Sequence, residues 1–84
     1  MTKTETLQTL ATLTMLARAT DASLQEINSA CTPLMTSTVP LTDGELDDLE
    51  VALSQFYNWP SSQVRRAQFV AACETLYTAL YERP

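Results

Sequence analysis

The side chains best able to do chemistry in this chain are carboxylates, and they are concentrated in its middle. The 84 residues include ten Asp or Glu, five Lys or Arg and no histidine, for a net charge of −5. No Lys or Arg occurs between positions 19 and 64, a stretch with these acids: Asp21, Glu26, Asp43, Glu45, Asp47, Asp48 and Glu50. Such a run can bind a divalent cation or attract a basic partner.

Cation binding is the weaker of these two alternatives. A calcium loop needs oxygen ligands at alternate positions of a turn, and only the segment from Asp43 to Glu45 resembles one. Acids near a helix N-terminus stabilise the helix dipole without any ligand. We therefore expect no metal, and we interpret Asp43, Asp47 and Glu50 as one helical face that is either simply solvated or meets a basic partner.

The residues needed for common catalytic sites are missing. Without histidine there is no imidazole acid–base catalysis, no Ser-His or Cys-His nucleophile and none of the usual zinc sites. Gly44 is the only glycine, which excludes glycine-rich phosphate loops. Cys31 and Cys73 form no CxxC pair and are expected to be reduced, buried thiols, with a disulfide as the alternative. We expect neither an enzyme nor a cofactor.

Aromatic and basic residues gather around a predicted turn at Trp59. Tyr57 precedes it, Arg65 and Arg66 follow, and interface hot spots are enriched in these residue types. The alternatives are that Trp59 closes the core and that the arginines form a salt bridge within the chain or a dimer. The predicted partner-binding set combines this turn with the acidic run: Asp43, Asp47, Asp48, Glu50, Tyr57, Trp59, Arg65 and Arg66.

Apolar periodicity predicts one all-α domain over residues 1–84, a small bundle of three to four helices at roughly 3–18, 23–32, 43–57 and 62–82. Thr2 with Glu5, and Thr42 with Glu45, have the spacing of capping boxes that start the first and third helices. Asp21 or Ser23 can cap the second, and Ser61 or Ser62 the last.

Helix ends are predicted from proline and asparagine. Pro33 lacks an N–H and clashes with the preceding turn, so the second helix is expected to end by about Thr32. Asn58 tolerates the left-handed conformation of a C-cap, and Pro60 follows it.

The first and last helices carry apolar residues around most of their circumference. Two short partner helices are not expected to cover this surface, and we predict that a homodimer completes the bundle, although a foreign protein is an alternative occupant. The predicted dimer interface contains Leu10, Leu13, Leu16, Phe69, Val70, Cys73, Leu76, Tyr77, Leu80 and Tyr81.

The resulting prediction is a small acidic helical interaction module, of a size and composition typical of bacterial or phage proteins, that regulates or inhibits a larger protein. The alternatives are a nucleic-acid-associated protein, either a DNA mimic or an accessory DNA-binding regulator, and a structural oligomerisation subunit. The low positive charge argues against direct nucleic-acid binding. The N-terminus has no continuous apolar stretch, and no segment is apolar enough for a membrane span, so a cytoplasmic location is expected.

Overall fold

The computed structural model describes residues 1–19 and 22–83, and over this part of the chain it contains four helices and no strand. They are α1 (Lys3–Arg18), α2 (Leu24–Thr36), α3 (Asp43–Asn58) and α4 (Gln63–Glu82). The predicted all-α bundle is confirmed. None of the helices in the described residues is long and apolar enough to cross a membrane.

Both predicted capping boxes are present. The Thr2 hydroxyl accepts the Glu5 N–H at 3.1 Å, and the Glu5 carboxylate accepts the Thr2 N–H at 3.0 Å. Thr42 and Glu45 make the same reciprocal bonds at 3.1 and 2.9 Å. These bonds satisfy backbone donors that have no partner inside the helix, so the starts of α1 and α3 are fixed by local sequence.

The other two helices are capped by Ser23 and Ser62, whose hydroxyls accept N–H groups of the first turn. Asp21, the other candidate cap for α2, lies outside the described residues. The left-handed cap predicted at Asn58 is wrong. Asn58 is the last residue of α3, and Trp59 follows it with a φ of −130°.

α2 continues beyond the predicted end at Thr32 to Thr36 and contains Pro33. That prediction is wrong because tertiary packing outweighs the loss of one helical hydrogen bond. Pro33 leaves the Ser29 carbonyl without an N–H partner, but Ser29 is exposed and water can satisfy it. Leu34 is fully buried, so the last turn of α2 completes the core.

The four helices form a ring in which α4 packs between α1 and α3, and α2 packs against α1 and α3. α1 and α4 are antiparallel, because Lys3 at the start of α1 donates to the backbone carbonyls of Tyr81 and Arg83. The ring encloses one core of buried residues: Leu10, Leu13, Ala17, Ile27, Cys31, Leu34, Leu41, Leu49, Phe56, Phe69, Cys73, Leu76 and Leu80.

This core includes six of the ten residues predicted for a dimer interface: Leu10, Leu13, Phe69, Cys73, Leu76 and Leu80. Each is at most 6% exposed, so a second chain cannot reach it, and their assignment to an intermolecular interface is corrected. The prediction from the helical pattern overestimated the apolar surface left uncovered on α1 and α4. These two helices cover each other along their lengths, and α3 covers the other flank of α4. Leu16 and Val70 are partly buried.

Candidate partner-binding surfaces

The connection from α3 to α4 holds Trp59 in a fixed but exposed position. Its N–H donates to the Gln55 carbonyl at 3.1 Å, and its carbonyl accepts the Ser62 N–H at 3.0 Å. The Trp59 side chain is 52% exposed and does not belong to the core cluster. The structure therefore does not support the alternative in which Trp59 closes the core.

Arg65 lies over the indole of Trp59. Its guanidinium carbon is 5.1 Å from the ring centroid, which is the geometry of a cation–π contact. Tyr57 and Val64 on the flanking helices are also more than half exposed. We call Tyr57, Trp59, Val64 and Arg65 the turn patch. Because the contact orients the indole before binding, a partner would lose little conformational entropy in burying it.

Arg66 has a different role from its neighbour. Its Nη1 donates to the carbonyls of Ala17 at 2.7 Å and Ala19 at 3.2 Å, at the C-terminal end of α1. Its guanidinium carbon also lies 5.1 Å from the Phe56 ring centroid. The last carbonyls of a helix lack intrahelical partners and carry the negative end of its dipole. Arg66 therefore joins α4 to α1, and we remove it from the predicted partner-binding set. The salt bridge that the sequence suggested for the arginines is not what Arg66 forms, because its acceptors are backbone carbonyls.

The outer surface of α3 carries the exposed carboxylates. Asp43, Asp47, Asp48 and Glu50 are all exposed, as expected for a surface open to a partner. A shallow depression of about 420 Å³ lies on this surface and is lined by Asp47, Glu50, Val51, Ser54 and Gln55. We call Asp43, Asp47 and Glu50 the acidic face. Val51, which is 61% exposed, adds an apolar contact beside it that the sequence analysis did not select.

Glu45 is not part of the acidic face. Its carboxylate accepts a hydrogen bond from Arg83 at 2.5 Å, which ties the start of α3 to the end of α4. The Arg83 hydrogen bond, together with the backbone N–H of Thr42, lowers the pKa of Glu45. The same hydrogen bond raises the pKa of Arg83. This carboxylate is therefore engaged within the chain, by Thr42 and Arg83.

A second exposed apolar surface lies between α1 and α4. Met15 is 67% exposed, Tyr77 37% and Tyr81 66%, and the two tyrosine rings stack at 6.3 Å between centroids. Beside them is a shallow groove of about 390 Å³ lined by Ala11, Thr14, Met15, Arg18, Glu74, Tyr77 and Thr78. We call this groove, together with Tyr81 stacked on Tyr77, the α1/α4 groove. Arg18 and Glu74 form an exposed ion pair at 2.7 Å within it, a kind of pair that contributes little to stability.

The two cysteines are free and buried. No Cα atom of α2 lies within 8 Å of a Cα atom of α4, whereas a disulfide requires less than about 7 Å. The folded backbone thus does not permit the disulfide alternative. Burial raises the pKa of Cys31 to about 11 and that of Cys73 to about 12, which keeps both thiols protonated and unreactive.

Comparison with other proteins does not add a functional assignment. The chain matches no protein-family model, and comparison with curated proteins and with solved structures gave no significant match. Across residues 1–19 and 22–83, no three His, Cys, Asp or Glu side chains are grouped to hold a metal ion.

Met15 and Val64 are both more than 60% exposed but were not predicted as site residues from the sequence. For Met15 a signal was present, because it lies off the stripe formed by Leu10, Leu13 and Ala17. For Val64 the helical pattern gave no comparable signal, since α4 is apolar on most sides.

Proposed function

We propose that this chain is a cytoplasmic protein-interaction module that binds a larger protein through the turn patch and the acidic face, and thereby regulates or inhibits it. The observation that carries the proposal is the conformation of Trp59, which is half exposed, fixed by backbone hydrogen bonds at both ends and stacked under Arg65. An exposed, preordered Trp beside Tyr and Arg has the composition of an interface hot spot.

The charge distribution indicates what the partner surface looks like. Tyr57 follows Glu50 by seven residues, two helical turns, so the acidic face and the turn patch share one side of α3. A complementary partner has an apolar pocket for the indole and a rim of Lys or Arg residues for the carboxylates. Such a rim speeds association and makes the rate depend on salt concentration.

The test is quantitative affinity capture from the native host, with the same bait in wild-type and variant forms. Trp59→Ala is expected to weaken recovery of the specific partner by roughly thirtyfold, which corresponds to a hot-spot loss of about 2 kcal/mol. Its control, Met35→Ala, removes an exposed apolar side chain of α2, outside both proposed surfaces, and should leave recovery unchanged.

The acidic face is tested separately by charge reversal. Asp47→Lys combined with Glu50→Lys is expected to reduce recovery and weaken its salt dependence. Glu82→Lys reverses an exposed carboxylate at the end of α4 and serves as the control. Partner recovery that is unaffected by both Trp59→Ala and the double reversal would refute the proposed surface.

We also propose that the chain self-associates as a homodimer. The support is the exposed apolar area that the four helices leave uncovered at Met15, Tyr77 and Tyr81. Met15 and Tyr77 line the same groove and Tyr81 stacks on Tyr77, and exposed apolar patches mark interaction sites when they are large. Light scattering across a concentration series tests this directly, and a monomer mass at about 1 mM would refute it.

A further inference from the structure

We infer that the α1/α4 groove is the surface on which a second copy of this chain docks. The inference rests on the self-association proposed above and specifies its face. It replaces the interface predicted from sequence with one formed by exposed side chains: Ala11, Met15, Arg18, Glu74, Tyr77 and Tyr81.

Charge selects this face for contact between identical chains. α2 and α3 together carry six carboxylates and no cation, whereas the α1/α4 groove carries one cation, Arg18, and one carboxylate, Glu74, and therefore has no net charge. Like charges placed opposite each other across an interface are strongly unfavourable. Two copies of an acidic chain therefore meet most favourably on α1 and α4, with the α3 surfaces directed away from each other.

The face combines large exposed side chains with a groove. Met15 and Tyr81 are both more than 60% exposed, and the groove includes the small residues Ala11, Thr14 and Thr78. In a two-fold interface each copy presents the same patch to the other, so an exposed side chain of one copy can enter the groove of its partner and the reverse. Stacking of Tyr81 on Tyr77 restrains the exposed Tyr81 ring before contact.

The available area is sufficient for a specific dimer. The molecule measures 37 by 18 by 18 Å, so a long face projects to about 670 Å². Specific interfaces of standard size bury about 600–1,000 Å² per partner, so such a dimer would cover most of one long face. Met15 and the two tyrosines provide apolar anchors within this face, and the Arg18–Glu74 pair can exchange partners between copies without a net change in charge.

The first test compares the oligomeric mass of three variants of the full chain by light scattering and sedimentation velocity. Met15→Arg and Tyr81→Arg change exposed side chains of this face and are expected to weaken dimerisation at least tenfold. Val51→Arg changes a similarly exposed apolar residue on α3 and is expected to leave dimerisation unweakened. Far-UV circular dichroism checks that all three retain the helical fold. If Met15→Arg and Tyr81→Arg dimerise as strongly as wild type, the inference is wrong.

The second test maps the face by following amide chemical shifts on dilution of the wild-type protein. The inference predicts shifts concentrated at Ala11, Met15, Tyr77 and Tyr81. A dimer whose shifts concentrate on α3 would refute this face but leave self-association standing. A wild-type chain that stays monomeric at about 1 mM would refute both.

Discussion

Replacing Arg66 with alanine tests whether this residue is a structural link or a partner-binding residue. In the structure its guanidinium donates to the carbonyls of Ala17 and Ala19 and lies over the ring of Phe56. The guanidinium of Arg65, the preceding residue, instead lies over the half-exposed indole of Trp59. The two neighbouring arginines therefore provide matched substitutions with opposite expected effects.

The expected cost of Arg66→Ala follows from these contacts. A charge-assisted hydrogen bond contributes about 1.5–3 kcal/mol, and partial exposure of this one places the pair of bonds near the lower value. The contact with the Phe56 ring adds about 0.5–1 kcal/mol. We expect a total loss of about 2–3 kcal/mol, equivalent to a fall in Tm of roughly 8–20 °C for a domain of this size. Arg65→Ala should cost less than about 1 kcal/mol.

The assay is urea unfolding followed by far-UV circular dichroism, with the free energy of unfolding obtained by linear extrapolation. Arg66→Lys is a useful intermediate, because lysine keeps the charge but lacks the planar group that reaches two carbonyls. Arg66→Ala within about 0.5 kcal/mol of wild type would refute the structural role. A loss of unfolding free energy in Arg65→Ala that equals or exceeds the loss in Arg66→Ala would also refute it.

Three further predictions concern proton binding and the helix backbone. Because burial raises the pKa of Cys31 to about 11 and Cys73 to about 12, their contribution to stability is present below the ordinary thiol pKa of 9.0 and is lost as pH rises towards the folded values. Urea unfolding should show a loss of about 1 kcal/mol per thiol between roughly pH 9 and pH 10. A Cys31→Ala variant with the same pH slope as wild type would contradict this. The pKa of Glu45 is lowered, so its contribution to stability is present above the ordinary pKa of 4.5 and is lost as pH falls through the pKa of the folded state. The Tm of Glu45→Gln should therefore depend less on acidic pH than the Tm of the wild type. Pro33→Ala restores a donor for the Ser29 carbonyl and should stabilise the protein by about 1–3 kcal/mol in thermal unfolding; an unchanged or lower Tm would show that α2 gains nothing from the extra bond.

Features that depend on residues three or four apart were predictable from the sequence. The Thr2–Glu5 and Thr42–Glu45 capping boxes need only local chemistry, and both form as expected. The end of α2 was not predictable in the same way, because burial of Leu34 by the other helices outweighs the local effect of Pro33.

In the candidate sites, too, local features were predictable from the sequence and features that depend on tertiary packing were not. The acidic face follows from spacing along one helix, so its exposure could be expected. The role of Arg66 could not be predicted, because its acceptors lie 47 and 49 residues away, at the end of another helix. The exposure of Trp59 was also undetermined, since a turn can direct a side chain towards the core or towards solvent. The interface predicted at Leu10 and Leu76 failed because helical periodicity identifies apolar residues but not the helix that covers them.

The most direct test of a partner-binding site at the turn uses the fact that Trp59 is the only tryptophan in the chain. Biosynthetic labelling with 5-fluorotryptophan gives a single ¹⁹F resonance that reports on this side chain, and the captured partner can be titrated against it. We predict that the resonance shifts and broadens as the complex forms and that its solvent isotope shift decreases, because the partner buries the indole. A complex that forms while both the ¹⁹F chemical shift and the solvent isotope shift of Trp59 remain those of the free protein would contradict the proposed site.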